Sequence, residues 1–253
     1  MTEPQISVIL PTYNEKGNIL DLVSEIKGLL EGRSKEILVV DDNSPDGTAD
    51  AVRERFAADP EVRVIVRARD RGMANSIREG LEKSRGGRLV VMGSDFNHLP
   101  EYIPFMIEAL DHYDGVFGSR FLYGSWMSSF VHHKLSWAFN IFIRVLLGGS
   151  ITDNLYGYYA IRREVIERCD YDEIFWGFGD YCIRLLYYLE IGRVSILQIP
   201  MVVGERRSGV GNRAWVRTLV QYLISTIGLT FNKNGMFVLW RRWSLPKTGT
   251  PRS

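Results

Sequence analysis

The 253-residue sequence has few cysteines, almost no net charge and no long apolar run. Its two cysteines, Cys169 and Cys182, show no metal-binding spacing, and we interpret them as reduced residues of a cytosolic protein. A formal net charge of +1 argues against a protein that binds nucleic acid. No apolar run approaches the roughly 20 residues of a membrane-spanning helix, and the N-terminus lacks a basic segment followed by an apolar one. We therefore expect neither a spanning helix nor a signal peptide.

Apolar patterning predicts strands that alternate with helices. The predicted strands cover residues 6–11, 36–40, 62–66, 88–92, 115–118 and 194–203. The predicted helices cover residues 18–30, 74–84, 103–110, 128–147, 162–169, 180–189 and 215–231. This alternation is typical of parallel βαβ units. We therefore predict an α/β fold with a mostly parallel sheet, flanked by helices, that binds ligands at the carboxyl ends of its strands.

Polar residues follow directly where predicted strands end. These segments are residues 11–15 (PTYNE), 41–48 (DDNSPDGT) and 93–98 (GSDFNH). Asp46 and Thr48 suit a turn or a helix cap. Asp41 and Asp42 are different because they terminate an apolar strand directly, and this favours contact with the ribose or base of a nucleotide.

The turn after the fourth predicted strand carries two oxygen-bearing side chains, Asp95 and Asn97. Their oxygens can converge on one divalent cation that bridges a diphosphate, because such ions prefer hard oxygen ligands. Gly93 stands where a second carboxylate would complete an Asp-x-Asp pair, and its presence predicts weaker metal binding.

These motifs, with residues 71–80 (RGMANSIREG), resemble glycosyltransferase family 2, which has the GT-A fold, a Rossmann-like sheet flanked by helices. The resemblance covers residues 6–213. Within the family, the sequence more narrowly resembles the dolichyl-phosphate mannose synthases and related polyprenyl-phosphate hexosyltransferases. It implies a nucleotide-sugar site formed by Pro11, Tyr13, Glu15, Asp41, Asp42, Arg69, Arg71, Ser94 and Asp95. It also implies Mg²⁺ or Mn²⁺ on Asp95 and Asn97.

The second half of the chain carries basic residues that the resemblance assigns to phosphates. Arg120 ends a strand in a Gly-Ser-Arg motif, and Lys134 lies on the next helix. Arg206 and Arg213 belong to a glycine-containing loop that would close over the diphosphate and the acceptor phosphate. His132 and His133 are interpreted as surface or interfacial residues. The segment 153–163 departs from the family pattern, which leaves the donor sugar open.

The resemblance implies a glycosyltransferase domain over residues 1–213, with a nucleotide-sugar half (1–118) and an acceptor half (119–213). Residues 214–253 would form a C-terminal amphipathic helix and tail that associate with the membrane. Tryptophan beside arginine at residues 240–243 (WRRW) suits a headgroup interface. The protein would then be cytoplasmic and peripheral on the cytosolic membrane face.

The implied reaction is inverting transfer of a hexose, mannose from GDP-mannose, to a polyprenyl phosphate of the dolichyl type. Asp95, Arg120, Lys134, Arg206 and Arg213 are the candidate catalytic residues. Two alternatives stay open. The first is a transferase with another nucleotide sugar or a soluble or glycan acceptor, in which Asp180 would be the base; that residue is equally suited to be a helix N-cap. The second, prompted by Gly93, is an inactive subunit that binds a nucleotide sugar.

Overall fold

The computed structural model describes residues 4–127, 130–208 and 215–235. Strands and helices alternate through the first half, as predicted. The strands are β1 (Ile6–Thr12), β2 (Lys35–Asp41), β3 (Val62–Val66), β4 (Arg88–Val91), β5 (Gly115–Ser119), β6 (Tyr159–Arg162) and β7 (Ile196–Pro200). The helices are α1 (Lys16–Leu29), α2 (Thr48–Arg55), α3 (Met73–Lys83), α4 (Ile103–Ala109), α5 (Phe130–Leu147), α6 (Arg163–Ile166), α7 (Tyr171–Ile174), α8 (Tyr181–Ile191) and α9 (Trp215–Gly235).

The strands form one sheet in the order β3-β2-β1-β4-β6-β5-β7. The pairs β1–β2, β2–β3, β1–β4 and β5–β7 are parallel, whereas β6 runs antiparallel to both β4 and β5. The sheet is therefore mixed but mostly parallel. The register pairs Thr12 with Asp41, so the carboxyl ends of β1 and β2 lie side by side.

Alternate residues of the central strands enter two different cores. Val8 and Leu10 pack on one face with residues of α1 and α4, whereas Ile9 packs on the other face with residues of α3 and α8. This alternation follows from the two-residue period of a strand. Helices therefore cover both faces, and polar residues gather where the strands end.

A smaller core joins the C-terminal helices. Leu229 of α9 packs with Ile143 and Leu147 of α5 and with Ile183 and Tyr187 of α8. Among the residues that the structure describes, no helix is both long and apolar enough to cross a membrane. The predicted boundary after residue 213 and the division into two halves stay predictions.

The structure corrects several sequence-based boundaries. Helix α2 was not predicted, because it has few apolar side chains, Ala49, Ala51 and Val52, and because Asp46 and Thr48 were interpreted as turn or cap residues. Strand β6 was also missed, since four residues carry too short a pattern. The predicted helix 162–169 shortens to α6, and the predicted strand 194–203 shortens to β7. The predicted residues 128–129 and 240–243 lie outside the described ranges.

Candidate active site

The ends of β1, β2 and β4 are tied together by side-chain hydrogen bonds. Thr12 Oγ1 donates to Asp41 Oδ1 at 2.8 Å, and Ser94 Oγ donates to the carbonyl of Pro11 at 2.8 Å. Asp41 Oδ2 accepts from the backbone N–H of Ser44 at 2.8 Å. The buried Asp41 carboxylate thus fixes the loop after β2, and its predicted contact with a nucleotide stays a prediction.

Asp42 is held by a basic residue that the sequence analysis missed. Arg67, directly after β3, forms a buried ion pair with Asp42, and its Nε donates to Glu79 Oε2 at 2.9 Å. The backbone N–H of Gly72 donates to Asp42 Oδ2 at 2.9 Å. Arg67 could have been found from its position at a strand end, but the family resemblance directed the interpretation to Arg69 and Arg71 in the same loop.

The exposed surface beside the end of β1 carries an aromatic ring and an arginine. Tyr13 is exposed, and the guanidinium carbon of Arg71 lies 5.4 Å from the centre of its ring. Arg71 Nη1 also donates to the Tyr13 hydroxyl at 3.4 Å. Arg69 is exposed on the same loop. The arrangement offers a flat aromatic surface and positive charge beside Asp42, which suits a base and a phosphate.

Arg206 joins two of the predicted site carboxylates. Its Nη2 donates to Glu15 Oε1 at 3.0 Å and to Asp95 Oδ2 at 2.9 Å. Asn18, which the sequence analysis did not select, donates from Nδ2 to Glu15 Oε2 at 2.6 Å. Burial raises the pKa of Glu15 above its ordinary value, although Asn18 and Arg206 act to lower it. The structure therefore brings the ends of β1 and β4 together with the loop after β7.

The turn after β4 is folded around Asp95. Its Oδ1 accepts from the backbone N–H of Asn97 at 3.1 Å, and its Oδ2 accepts from Asn97 Nδ2 at 2.8 Å. The backbone N–H of Gly93 donates to Nδ1 of His98 at 2.7 Å, so this ring nitrogen is an acceptor. Burial lowers the pKa of His98 to about 4, which keeps the imidazole neutral. His98 was missed because nothing in its spacing marks it as a support for the turn.

The turn after β4 offers two side chains that suit a divalent cation. Asp95 and Asn97 offer one carboxylate and one amide oxygen, which are hard ligands of the kind that Mg²⁺ and Mn²⁺ prefer. Over residues 4–127, 130–208 and 215–235, no group of three or more His, Cys, Asp or Glu side chains could hold a metal ion. The residues therefore fit a cation only as two of its ligands, and the remaining ligands would have to come from a bound donor or water.

Arg120 is anchored on Asp153 at the end of β5. Its Nε donates to Asp153 Oδ2 at 2.7 Å and its Nη2 to Oδ1 at 2.9 Å. The guanidinium carbon lies 5.1 Å from the ring centre of Tyr156. Burial acts to lower the pKa of Arg120, but the charge of Asp153 outweighs burial and raises the pKa. The guanidinium therefore stays positively charged. Its predicted contact with a phosphate stays a prediction.

Lys134 lies on the exposed side of the first part of α5. The neighbouring His133 has its Nε2 3.2 Å from the carbonyl oxygen of Arg120. This contact places the start of α5 beside the end of β5, and the predicted contact of Lys134 with a phosphate stays a prediction. Arg213, the remaining member of that group, lies outside the described residues.

Asp180 is neither a free carboxylate nor a side-chain N-cap. It precedes α8, but its side chain makes no capping hydrogen bond to that helix. Its Oδ2 instead accepts from Arg184 Nη1 at 2.5 Å and from Ser225 Oγ at 2.7 Å, and the residue is buried. Asp180 therefore stands at the N-cap position of α8, as one alternative expected, but its side chain neutralises a buried arginine and links α8 to α9.

Known proteins resemble this chain in both sequence and fold. It is 34% identical over 87% of its length to the dolichol-phosphate mannosyltransferase of Pyrococcus furiosus, but it spans only 62% of that relative. It is 34% identical over 80% of its length to the polyprenol monophosphomannose synthase of Mycolicibacterium smegmatis, covering 78% of it. It is 28% identical over 95% of its length to the dolichol-phosphate mannosyltransferase of Saccharomyces cerevisiae, covering 94% of it.

The fold has counterparts among solved structures. Glucosyl-3-phosphoglycerate synthase of Mycobacterium tuberculosis, in complex with Mn²⁺, UDP and glucosyl-3-phosphoglycerate, superposes with a TM-score of 0.67 at 22% identity. That match covers 97% of this chain and 82% of the other. A second structure of the same enzyme, with Mg²⁺ and UDP, gives a TM-score of 0.66. The predicted α/β fold of the GT-A type is thus confirmed.

The sequence model of Glycosyl transferase family 2 matches residues 7–170, which run from β1 to the segment before α7. That range contains the polar ends of β1, β2 and β4 and the Arg120–Asp153 pair. The predicted resemblance is confirmed, and the chain belongs to glycosyl transferase family 2.

Proposed function

We propose that this chain transfers mannose from GDP-mannose to a polyprenyl phosphate of the dolichyl type. The observation that carries the proposal is its similarity, over 80% to 95% of its length, to relatives named for mannose transfer to dolichol phosphate, undecaprenyl phosphate or polyprenol phosphate. The cluster of Glu15, Asp95 and Arg206 at the strand ends supports it, because a nucleotide-sugar site requires polar groups there.

The donor nucleotide would lie along the ends of β1 and β2. Tyr13 and Arg71 would contact the base or ribose on the exposed side of the corner. Asp42 would accept hydrogen bonds from the nucleoside, in an orientation fixed by Arg67. The remaining proposed donor contacts are Pro11, Glu15, Asp41, Arg69, Ser94 and Asp95.

Asp95 and Asn97 would hold Mg²⁺ or Mn²⁺ together with the donor. Such an ion, when bound, neutralises charge that develops on the leaving diphosphate. The chain contributes the single carboxylate of Asp95, which the backbone N–H of Asn97 orients.

Transfer itself would need positioning more than proton removal. A phosphate oxygen of the acceptor attacks the anomeric carbon of the sugar and forms the new C–O bond, while the bond to the diphosphate breaks and its electron pair leaves with the diphosphate. The anomeric configuration inverts. A phosphate is already ionised near neutral pH, so no general base is required, and Arg120, Lys134, Arg206 and Arg213 would hold and neutralise it.

Transfer to a soluble or glycan acceptor is less well supported by the geometry. Such an acceptor carries a hydroxyl group and needs a base to take its proton. Asp180 was the candidate for that role, but Arg184 and Ser225 engage its carboxylate in a buried position. An inactive binding subunit, which Gly93 first prompted, is an outcome of the experiment below.

A membrane surface is the proposed partner for the lipid acceptor, with the protein peripheral on the cytosolic face. Helices α5 and α9, which pack on each other through Leu229, also expose large apolar side chains. The exposed apolar residues on these two helices are Leu135, Trp137, Ile141, Phe142, Val145, Leu219, Val220, Ile224, Ile227 and Phe231. Exposed apolar side chains on helices suit the boundary between headgroups and acyl chains.

The test is transfer of radiolabelled sugar into a lipid-extractable fraction. The purified chain is incubated with a polyprenyl phosphate and, in separate reactions, with labelled GDP-mannose, UDP-glucose and other nucleotide sugars. We expect label in the lipid fraction from GDP-mannose. Label from a different donor would indicate that the enzyme transfers a different sugar. Label only in a water-soluble product would indicate a different acceptor, and nucleotide binding without transfer would indicate an inactive subunit.

A further inference from the structure

Arg206 occupies the position at Asp95 that a metal ion would need. A single nitrogen, Nη2, contacts Glu15 Oε1 at 3.0 Å and Asp95 Oδ2 at 2.9 Å. The three side chains are partly buried, with 24% of Arg206, 18% of Asp95 and 9% of Glu15 exposed. We propose that Arg206 competes with the divalent cation for Asp95, so that the free protein binds the metal weakly.

The competition follows from the few oxygens that the turn offers. Asp95 Oδ2 already accepts from both Asn97 and Arg206, and Gly93 provides no second carboxylate to share a cation. A metal ion on Oδ2 would lie next to the guanidinium, and two cations in contact in a partly buried site repel each other strongly. Arg206 and the metal therefore exclude each other from this oxygen.

The position of Arg206 is fixed by the loop that carries it. Gly204 donates its backbone N–H to the carbonyl of Asn97 at 3.1 Å, and Asn18 Nδ2 donates to the carbonyl of Ser208 at 3.1 Å. The guanidinium carbon of Arg207 lies 3.7 Å from the ring centre of Phe96. The loop is therefore attached both to the turn after β4 and to the start of α1.

Gly17 allows this close approach of the loop to α1. A Cβ atom at Gly17 would lie 2.5 Å from Ser208 Oγ and 2.9 Å from Ser208 Cβ. A side chain at this position would press against Ser208 in the loop that carries Arg206. We therefore expect Gly17→Ala to shift Arg206 from Asp95 without a change to either residue.

A bound diphosphate would reverse the competition. Arginine binds phosphate oxygens through paired hydrogen bonds, so a diphosphate in this corner would attract Arg206 away from Asp95 and release the carboxylate for the metal. Metal and donor would then bind together. This step rests on the proposed donor site, whereas the competition itself concerns the free protein and is tested without nucleotide or lipid.

The experiment measures binding of Mn²⁺ alone to the full chain, from the loss of the electron paramagnetic resonance signal of free Mn²⁺. Arg206→Gln is compared with the control Arg53→Gln, which removes the same charge at an exposed arginine of α2 that pairs with Asp50. We expect Arg206→Gln to bind Mn²⁺ about tenfold more tightly than the unchanged protein, since loss of one charge-assisted hydrogen bond is worth about that factor. Arg53→Gln should bind as the unchanged protein does.

Two further variants show whether a gain in Mn²⁺ affinity depends on the position of Arg206 and on Asp95. Gly17→Ala should also tighten Mn²⁺ binding, although Arg206 is still present. Combining Arg206→Gln with Asp95→Ala should abolish the gain. The proposal is overturned if Arg206→Gln and Gly17→Ala both bind Mn²⁺ as the unchanged protein does, or if the gain persists without Asp95. Neither result depends on whether the chain transfers mannose.

Discussion

Arg120 and Asp153 form a two-point ion pair, in which Nε and Nη2 of the arginine donate to the two carboxylate oxygens at 2.7 and 2.9 Å. Asp153 is fully buried, and Asn140 of α5 lies 3.4 Å from its Oδ1. The pair therefore joins the end of β5, the segment before β6 and α5. It holds a permanently charged guanidinium at the side of the site proposed for the acceptor phosphate.

Replacing Asp153 by asparagine should destabilise the fold by about 3 kcal/mol, because it leaves the charge of Arg120 buried without a partner. Urea unfolding measures this change. The matched control is Asp111→Asn, whose carboxylate pairs with Arg88 at an exposed position and should change stability by less than about 1 kcal/mol. Equal effects of the two substitutions would contradict a special role for the buried pair.

Replacing Asp95 by alanine should reduce transfer at least about a hundredfold while the protein stays folded, because the proposed donor site loses the single carboxylate that we expect to hold the metal. Initial rates with labelled GDP-mannose measure the loss, and circular dichroism checks the fold. Asp50→Ala on the exposed surface of α2 is the control and should retain full activity. Full activity in Asp95→Ala would refute the proposed role of Asp95 in the donor site.

Replacing Gly93 by aspartate should tighten Mn²⁺ binding on the order of tenfold, since affinity for hard cations rises with the number of charged ligands. A Cβ at this position would meet Asp95 Oδ1 at 3.4 Å and His98 Nδ1 at 3.5 Å, which leaves room for the side chain. Gly28→Asp adds the same charge on the surface of α1, where no atom lies within 4 Å of the new Cβ. If both variants bind Mn²⁺ alike, Gly93 does not mark a ligand position.

Glu36 should control part of the acid stability. Burial acts to raise its pKa, but hydrogen bonds from Ser7, Arg63 and Arg85 outweigh burial and lower the pKa below its ordinary value of 4.5. The carboxylate therefore stabilises the fold above pH 4.5, and this contribution disappears as the pH falls through the lower folded-state pKa.

The variant Glu36→Gln should accordingly be less stable than the unchanged protein at pH 7, and the difference should shrink below about pH 4. Urea unfolding across this pH range measures it. Glu164→Gln, an exposed residue near Arg162, should show no such pH dependence. A difference between Glu36→Gln and the unchanged protein that is constant with pH would contradict the prediction.

The exposed apolar residues of α5 and α9 should determine binding to lipid. Val145 and Ile224 are 79% and 63% exposed, and replacing both by glutamate should greatly reduce sedimentation with phosphatidylcholine–phosphatidylglycerol vesicles. Phe105→Glu introduces one glutamate at an exposed apolar residue of α4 and should sediment normally, and it is compared with each single variant as well as with the double one. Unchanged binding of the double variant would place the lipid contact elsewhere.

The strand ends could be predicted from the sequence because an apolar run that stops at Asp41 or Asp95 is a local signal. The supporting partners could not be predicted. Arg67 reaches Asp42 across 25 positions, and Arg206 reaches Asp95 across 111, so only the folded chain brings them together. Asp180 misled the prediction for the same reason, since its buried partner Ser225 is 45 positions away. Short elements such as β6 carry too few residues for a periodic pattern.

The reversed direction of β6 determines which part of the chain lies at the carboxyl ends of β4 and β5. Since β6 is antiparallel to β4 and β5, its first residue, Tyr159, pairs with Val91 and Phe117 near the ends of those strands. The chain that enters β6, and not the chain that leaves it, therefore borders the proposed substrate site. Differences in the chain before β6 would therefore change the proposed acceptor side, whereas the pairing of β6 with β4 and β5 could stay the same.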